Sequence, residues 1–331
     1  MTSSVAEAEP VAPVQPPERG TDRYWRAAVL FTGALTLAGW LVRLTVKDRW
    51  LFLSTVFYAT PLPLLTVGSL VCLVCEWRLK RRWRMRCWAV ALMLSLSTWA
   101  MTDWRDQPQS SDPQELTVLF WNVARKKDMA PAADYIRKVD ADIVGLVEAG
   151  WANEERRNFW SSHCPNHDIS LLGGGLVLMS KGPSGKAKPG KLGAESIYRQ
   201  IDCQVQGHDI NCVVVDLKSD PYYSRKPVLG QLSAELAAFQ SRPIIVMGDF
   251  NTPVDSLHYA PLRESMQEAF ETSGKGYAPT WPWPAPVLWL DQIWVSRSIE
   301  VLSCQRLQPV HSDHCPVLCR IRIRPQQEKL P

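Results

Sequence analysis

The sequence predicts a mixed α/β domain, its sheets covered by helices, preceded by a small transmembrane helical region. Three observations carry that prediction. Apolar residues crowd into the first third of the chain, where long stretches hold almost no charge. Beyond a polar linker, short runs rich in Val, Ile and Leu alternate with segments of helical spacing. Several of those runs end on a carboxylate, an amide or a histidine. A length of 331 residues leaves room for about two units. The overall 46% hydrophobic and 21% charged residues would suit a soluble protein, but their uneven distribution argues against a purely soluble chain. The net charge of +4, from 37 basic and 33 acidic residues, is too small to announce a nucleic-acid binder.

In chain order, residues 1–20 combine Pro, Glu, Ala and Ser without an aromatic residue, so they are expected to stay disordered. Residues 21–105 are expected to form a transmembrane region of three helices. The first, over 27–46, has Arg43 as its single charge, close enough to one end to snorkel. The second lies in the uncharged stretch 51–75, where Pro61 and Pro63 should kink it. The third, over 87–102, is short, and Arg84 and Arg86 would snorkel at its start. Trp25, Trp50, Trp77, Trp88 and either Trp99 or Trp104 fall near the span ends, where indole rings prefer the interface. Arg19, Arg23, Arg26, Arg78, Lys80, Arg81, Arg82, Arg84 and Arg86 outnumber Arg43, Lys47, Arg49 and Arg105. The positive-inside rule therefore places the tail and the basic loop in the cytoplasm and the large domain outside, provided that the third span inserts.

After a linker over 106–115, the catalytic unit is expected over 116–325. LTVLFWNV, ADIVGLVE, GGLVLMS, NCVVVDL, PIIVMGDFN, DQIWVS and PVLCRIRI read as strands. MAPAADYIRKVD and VLGQLSAELAAFQS have helical spacing, and 262–270 is a further helix candidate. In IDCQVQGHDINCVVVD, a two-residue turn at Gly207-His208 would make a hairpin in which Cys203 faces Cys212. That pair is either a disulfide, which would favour an extracytoplasmic domain, or two buried free thiols.

The polar residues of interest stand where strands end. Asn122 follows VLFW, Glu148 closes IVGLV, and Asp249 with Asn251 closes IIVMG. Asp291 opens DQIWVS, and Asp313 and His314 precede PVLCRI. Each alone reads as a strand-terminal turn or cap. Together they describe a site assembled from strand ends, the way many α/β folds collect catalytic groups.

The series WNV, GLVE, GDFN, LDQIWVS and SDH resembles the endonuclease/exonuclease/phosphatase superfamily, the DNase I-like phosphoesterases, over residues 116–324. TWPWPAP before Asp291 looks like its bacterial membrane-anchored members. The resemblance implies a four-layer α/β sandwich and hydrolysis of phosphate esters with Mg²⁺ or Mn²⁺. It implies that Glu148 is a metal ligand and Asp313 a second metal-side carboxylate. Asp249 would orient or deprotonate the attacking water, and Asn122 and Asn251 would bond phosphate oxygens or neighbouring carboxylates. His314 would donate to the phosphate, held by Asp291. Two positions depart from the family pattern. Asp216 stands where relatives have His or Tyr, so its role is open, and Gln292 follows Asp291 where many have His. Arg225 is either a bidentate phosphate ligand or an exposed loop cation.

The leading expectation is a membrane-anchored metal-dependent phosphoesterase, multi-pass in a bacterial inner or plasma membrane. Its partners would be the lipid bilayer and a phosphodiester or phosphomonoester, lipid-linked in the case that tethering favours. The alternatives are a nuclease acting on extracytoplasmic DNA or RNA, and a catalytically silent binding or sensor module.

Overall fold

The computed structural model describes residues 20–193, 195–239 and 242–324. Residues 1–19 of the tail expected to be disordered lie outside them, and residue 20 already begins a helix. Four helices open the chain: α1 (Gly20–Thr45), α2 (Leu51–Ala59), α3 (Leu62–Arg78) and α4 (Arg82–Asp103). Among the described residues one helix, over Thr21–Thr45, is long and apolar enough by itself to cross a membrane. α2 and α3 pass that test only together, and they bend by 67° at their break. The break falls at the expected kink, because Pro61 is the N-cap of α3 and Pro63 occupies its first turn. α4 covers the expected third span, but its arginines and its Ser and Thr residues leave it short of that apolarity.

The linker is not free chain. α4 ends at Asp103 and β1 (Trp104–Asp106) follows without an intervening residue. Gln107 N then donates to Gly274 O at 3.1 Å, and Ser110 N to Leu302 O at 3.0 Å. The segment expected to connect two units is thus laid along a sheet of the second unit, where its backbone groups find partners.

The large unit runs β2 (Leu116–Asn122), α5 (Ala130–Val139), β3 (Ile143–Val147), α6 (Glu154–His163), β4 (Asp168–Gly173) and β5 (Leu176–Ser180). It continues with β6 (Lys188–Lys191), β7 (Ile197–Val205), β8 (His208–Asp216), α7 (Arg225–Ala237) and β9 (Ile244–Asp249). Last come α8 (Ala260–Ser265), β10 (Met266–Glu268), α9 (Ala269–Ser273), β11 (Gly274–Tyr277), β12 (Asp291–Ser296), β13 (Ile299–Arg306) and β14 (Val317–Ile323). The strands make an eight-stranded sheet, β1-β11-β13-β14-β2-β3-β5-β4, and a six-stranded sheet, β10-β12-β9-β8-β7-β6.

The two sheets pack face to face. Leu116, Val118 and Phe120 of the first meet Val214, Met247 and Ile293 of the second in a dry core. Gly145 faces the second sheet, where a Cβ would lie 2.2 Å from Met247 Sδ. α5 and α6 cover the outer face of the first sheet through Ala133, Ile136 and Trp160. α7 and α8 cover the second through Leu229, Leu232 and Leu262. The result is the four-layer sandwich that the resemblance implied.

Two local expectations change. The helix expected over 262–270 is interrupted, because Met266–Glu268 pairs with Trp294–Ser296 as β10. The β7-β8 hairpin turns at Gln206-Gly207, both with positive φ (49° and 80°), not at Gly207-His208. Cys203 is therefore opposite Ile210, and Cys212 opposite Ile201. Their sulfurs still lie 3.2 Å apart, as buried free thiols.

Candidate active site

Strand alternation makes the site. In β8, β9 and β12 the residues that face the other sheet are Cys212 and Val214, Ile245 and Met247, and Ile293 and Val295. One step further along each inward row comes Asp216, Asp249 or Asp291. Parallel pairing sets Asp216 beside Asp249, and antiparallel pairing sets Asp291 beside Asp249. The same logic in β2 carries Leu116, Val118 and Phe120 on to Asn122, whose register partner is Val147, one residue before Glu148. The apolar core between the sheets thus ends in a row of carboxylates and amides.

Hydrogen bonds fix these groups. Asp249 Oδ2 accepts from Asn122 Nδ2 at 3.0 Å, and its Oδ1 accepts from Asn251 N at 3.0 Å. His314 Nδ1 donates to Asp291 Oδ2 at 2.8 Å, leaving Nε2 3.9 Å from Asp249 Oδ2. Ser312 Oγ donates to Asn122 O and accepts from His314 N, tying the SDH turn to the end of β2. Thr280 Oγ1 accepts from Asp291 N at 3.2 Å, and Trp121 Nε1 donates to His314 O at 2.9 Å. Glu148 and Asn251 both adopt left-handed backbone, φ 57° and 45°. That conformation costs energy for a residue with a Cβ, and surrounding bonds must impose it. At Asn251 they are Nδ2 to Leu217 O and the Arg225 guanidinium to Asn251 O.

The cleft above these residues has a volume of about 640 Å³. Glu148, Asp216, Asp249, Asn251 and His314 line it. Asn122 and Asp291 are buried behind that lining, each holding one of its members. Arg225 is buried and bonded to Asn251 O, so it is neither an exposed loop cation nor placed here as a phosphate ligand. Asp313 accepts from Trp281 Nε1 at 3.0 Å through Oδ2. Gln292 is a buried structural amide that donates to Thr252 O and accepts from Trp294 Nε1. Sequence reasoning passed over Arg125, whose Nε is 3.5 Å from Glu148 Oε2, and the tethers Thr280 and Ser312. Thr280 opens the TWPWPAP segment and Ser312 opens SDH, so both tethers stood within segments that the sequence singles out.

Burial, then the carboxylates of Asp249 and Glu148, push Asp216 up to about 7. Burial and Asp291 push Asp249 up to about 6, against the pull of His314. Burial opposes the charge of His314, but Asp291, Asp249 and Asp313 outweigh it and raise the imidazole to about 10. At neutral pH the histidine is therefore an imidazolium and a hydrogen-bond donor.

The donor set fits a divalent cation. Glu148, Asp216 and Asp249 bring hard oxygens into one cleft, and their mutual repulsion is what such an ion relieves. Donor atoms of Asp249, Asp291 and His314 also lie within 4.8 Å of one another, and buried Asp291 Oδ1 has no hydrogen-bond partner.

A two-sheet α/β sandwich whose inter-sheet core opens onto carboxylates, amides and a charged histidine defines a class of fold and site. The family model for the endonuclease/exonuclease/phosphatase family matches residues 119–314, and the chain belongs to that family, whose members are phosphoesterases or nucleases. Among solved structures, the chain is similar to an endonuclease/exonuclease/phosphatase from Bacteroides vulgatus, at 16% identity and TM-score 0.54, over 63% of this chain and 99% of that one. Truncated Caenorhabditis elegans TDP2 gives 14% and 0.54, over 62% and 97%. The Bacteroides thetaiotaomicron mannosyl-6-phosphatase gives 14% and 0.54, over 63% and 100%. At these identities the likeness shows the fold alone. No curated protein matches the chain.

Proposed function

We propose that the protein is a metal-dependent phosphoric ester hydrolase, anchored in a bilayer by its N-terminal helices. The observation that carries this reading is the Asn122–Asp249 and Asp291–His314 hydrogen-bonded pair of dyads, set in one cleft with Glu148. Asp249, held by Asn122 and the backbone of Asn251, orients the attacking water and takes its proton. His314, kept charged by Asp291, presents Nε2 to a phosphate oxygen as negative charge accumulates there. Glu148 and Asp216 would hold Mg²⁺ or Mn²⁺, which would supply Lewis-acid stabilisation of the phosphate. Asp313 is left to position Trp281 at the cleft wall.

The anchor follows from α1 and from α3, the longer arm of the bent pair, with α4 as a third, less apolar crossing and α2 left at the membrane's edge beside the catalytic unit. The basic residues around Lys80 then lie in the cytoplasm and the catalytic unit outside. Tethering concentrates the site near lipid-linked phosphate esters. A nuclease fits less well, because Arg125 and Lys218, which line the cleft besides His314, are paired with Glu148 and Glu195.

The test is hydrolysis of bis(4-nitrophenyl) phosphate and 4-nitrophenyl phosphate by the full chain in detergent, with Mg²⁺, Mn²⁺ or EDTA. Metal-dependent turnover, lost in Asp249→Ala and His314→Ala, is expected and identifies the ester class. Turnover that survives both substitutions overturns the assignment of the site.

A further inference from the structure

The cleft is not built by the catalytic unit alone. Thr55, Tyr58 and Ala59 of α2 line it together with Glu148, Asp249 and His314. Their spacing, i, i+3 and i+4, puts them on one face of the helix. Leu51, four residues before Thr55, continues that face outward and is 44% exposed. α2 carries no charge. Beside it, Trp50 and Phe52 are exposed and stack with ring centroids 6.0 Å apart.

This wall is held in place by several bonds. Ser54 Oγ donates to Pro221 O at 3.3 Å, and Pro221 itself lines the cleft. Arg43 Nη2 donates to Phe57 O at 3.2 Å and to Thr60 O at 3.3 Å, while its Nη1 pairs with Asp255. Tyr58 Oη donates to Asp48 Oδ2 at 3.3 Å, and the other carboxylate oxygen of Asp48 accepts from Leu257 N at 3.1 Å. Thr55 Oγ1, by contrast, is shielded from solvent with no hydrogen-bond partner. The cleft thus combines an anionic catalytic floor, apolar lining from Ile197, Leu288 and Leu290, and a helix whose uncharged face runs on to exposed Leu51.

We infer that α2 is the chain-binding wall of the substrate site, and that the substrate is an amphiphilic phosphate ester. Its phosphate sits at Asp249 and His314, and its hydrocarbon chain runs over Ala59, Tyr58 and Thr55 toward Leu51. A hydrophilic ester would gain nothing from this wall, whereas each methylene laid on it leaves water. The inference rests on the phosphoesterase reading above.

The experiment compares esters that differ only in their tail: methyl and dodecyl 4-nitrophenyl phosphate, and butyl and dodecyl phosphate. They are assayed with the full chain in one detergent at fixed concentration. The readout is the ratio of kcat/KM, long tail over short, in whichever pair is hydrolysed. The wild type is expected to favour the long tail by roughly tenfold or more. Ala59→Trp, which fills the wall, and Leu51→Asp, which charges its outer end, should each pull that ratio toward one. Micelle partitioning of the long ester is the same for every variant, so a change in the ratio reports the wall. If Ala59→Trp fails to fold, Leu51→Asp and the wild-type ratio still decide. Equal kcat/KM for both tails in the wild type, or a ratio unmoved in folded variants, overturns the inference and leaves the phosphoesterase standing. Turnover of none of the four esters overturns both.

Discussion

Asp249 receives two hydrogen bonds and faces a charged imidazole across 3.9 Å, so its carboxylate is both aimed and electrostatically loaded. Replacing it by Ala is expected to lower kcat by about 10²–10⁴, the range for a lost general base, with the fold intact by circular dichroism. Asp216 leads to a pH prediction of definite sign. Its folded-state value near 7 lies above the 3.8 of the ordinary side chain. The native state therefore binds the proton more tightly than the unfolded state, and this group's penalty on stability grows as pH rises from about 4 to 7. In EDTA, Asp216→Asn should raise the melting temperature more at pH 8 than at pH 4.5. An equal gain at both would mean that Asp216 is not pressed against its neighbours. The sequence made the site residues findable because strand-end polar groups interrupt the apolar runs. It could not show that Arg225 turns inward, since a buried guanidinium and an exposed one read identically until Asn251 O is seen beside it.

Elements that form continuous apolar runs or repeat at helical spacing were legible, as β2, β9, β12 and α5 show. Those that rely on partners were not. β10 has three residues and exists because β12 offers an edge, and β1 exists because β11 does. The hairpin register was missed by two residues because Gln206, rather than a glycine, takes the first left-handed position of the turn. Gly145 is the element-level test of sheet packing. A Cβ there collides with Met247 Sδ, so Gly145→Ala should cost about 1–3 kcal/mol by overpacking, read as a lower melting temperature. A second substitution, Met247→Ala, should cost less in the Gly145→Ala background than in the wild type, because the two act at one contact.

The whole molecule joins its helices to its catalytic unit through buried polar contacts as well as apolar ones. Arg43 with Asp255, and Asp48 with Ser256 and Leu257, grip the loop that follows Asp249 and Asn251. Asp48→Ala should loosen that loop, speeding its proteolysis in detergent and lowering kcat severalfold although no catalytic group is removed. For orientation, an epitope after residue 331 should be digested from outside intact spheroplasts while one before residue 1 is protected. The reverse pattern would put the cleft in the cytoplasm. The direct passage from α4 into β1 has a mechanical meaning. With no slack between helix and sheet, the proposed anchor would hold the cleft at a constant height above the bilayer, as a gauge set to one depth. An enzyme mounted in this way would neither reach down for its substrate nor swing away from it, and its choice among esters would also be a choice of how far each phosphate protrudes.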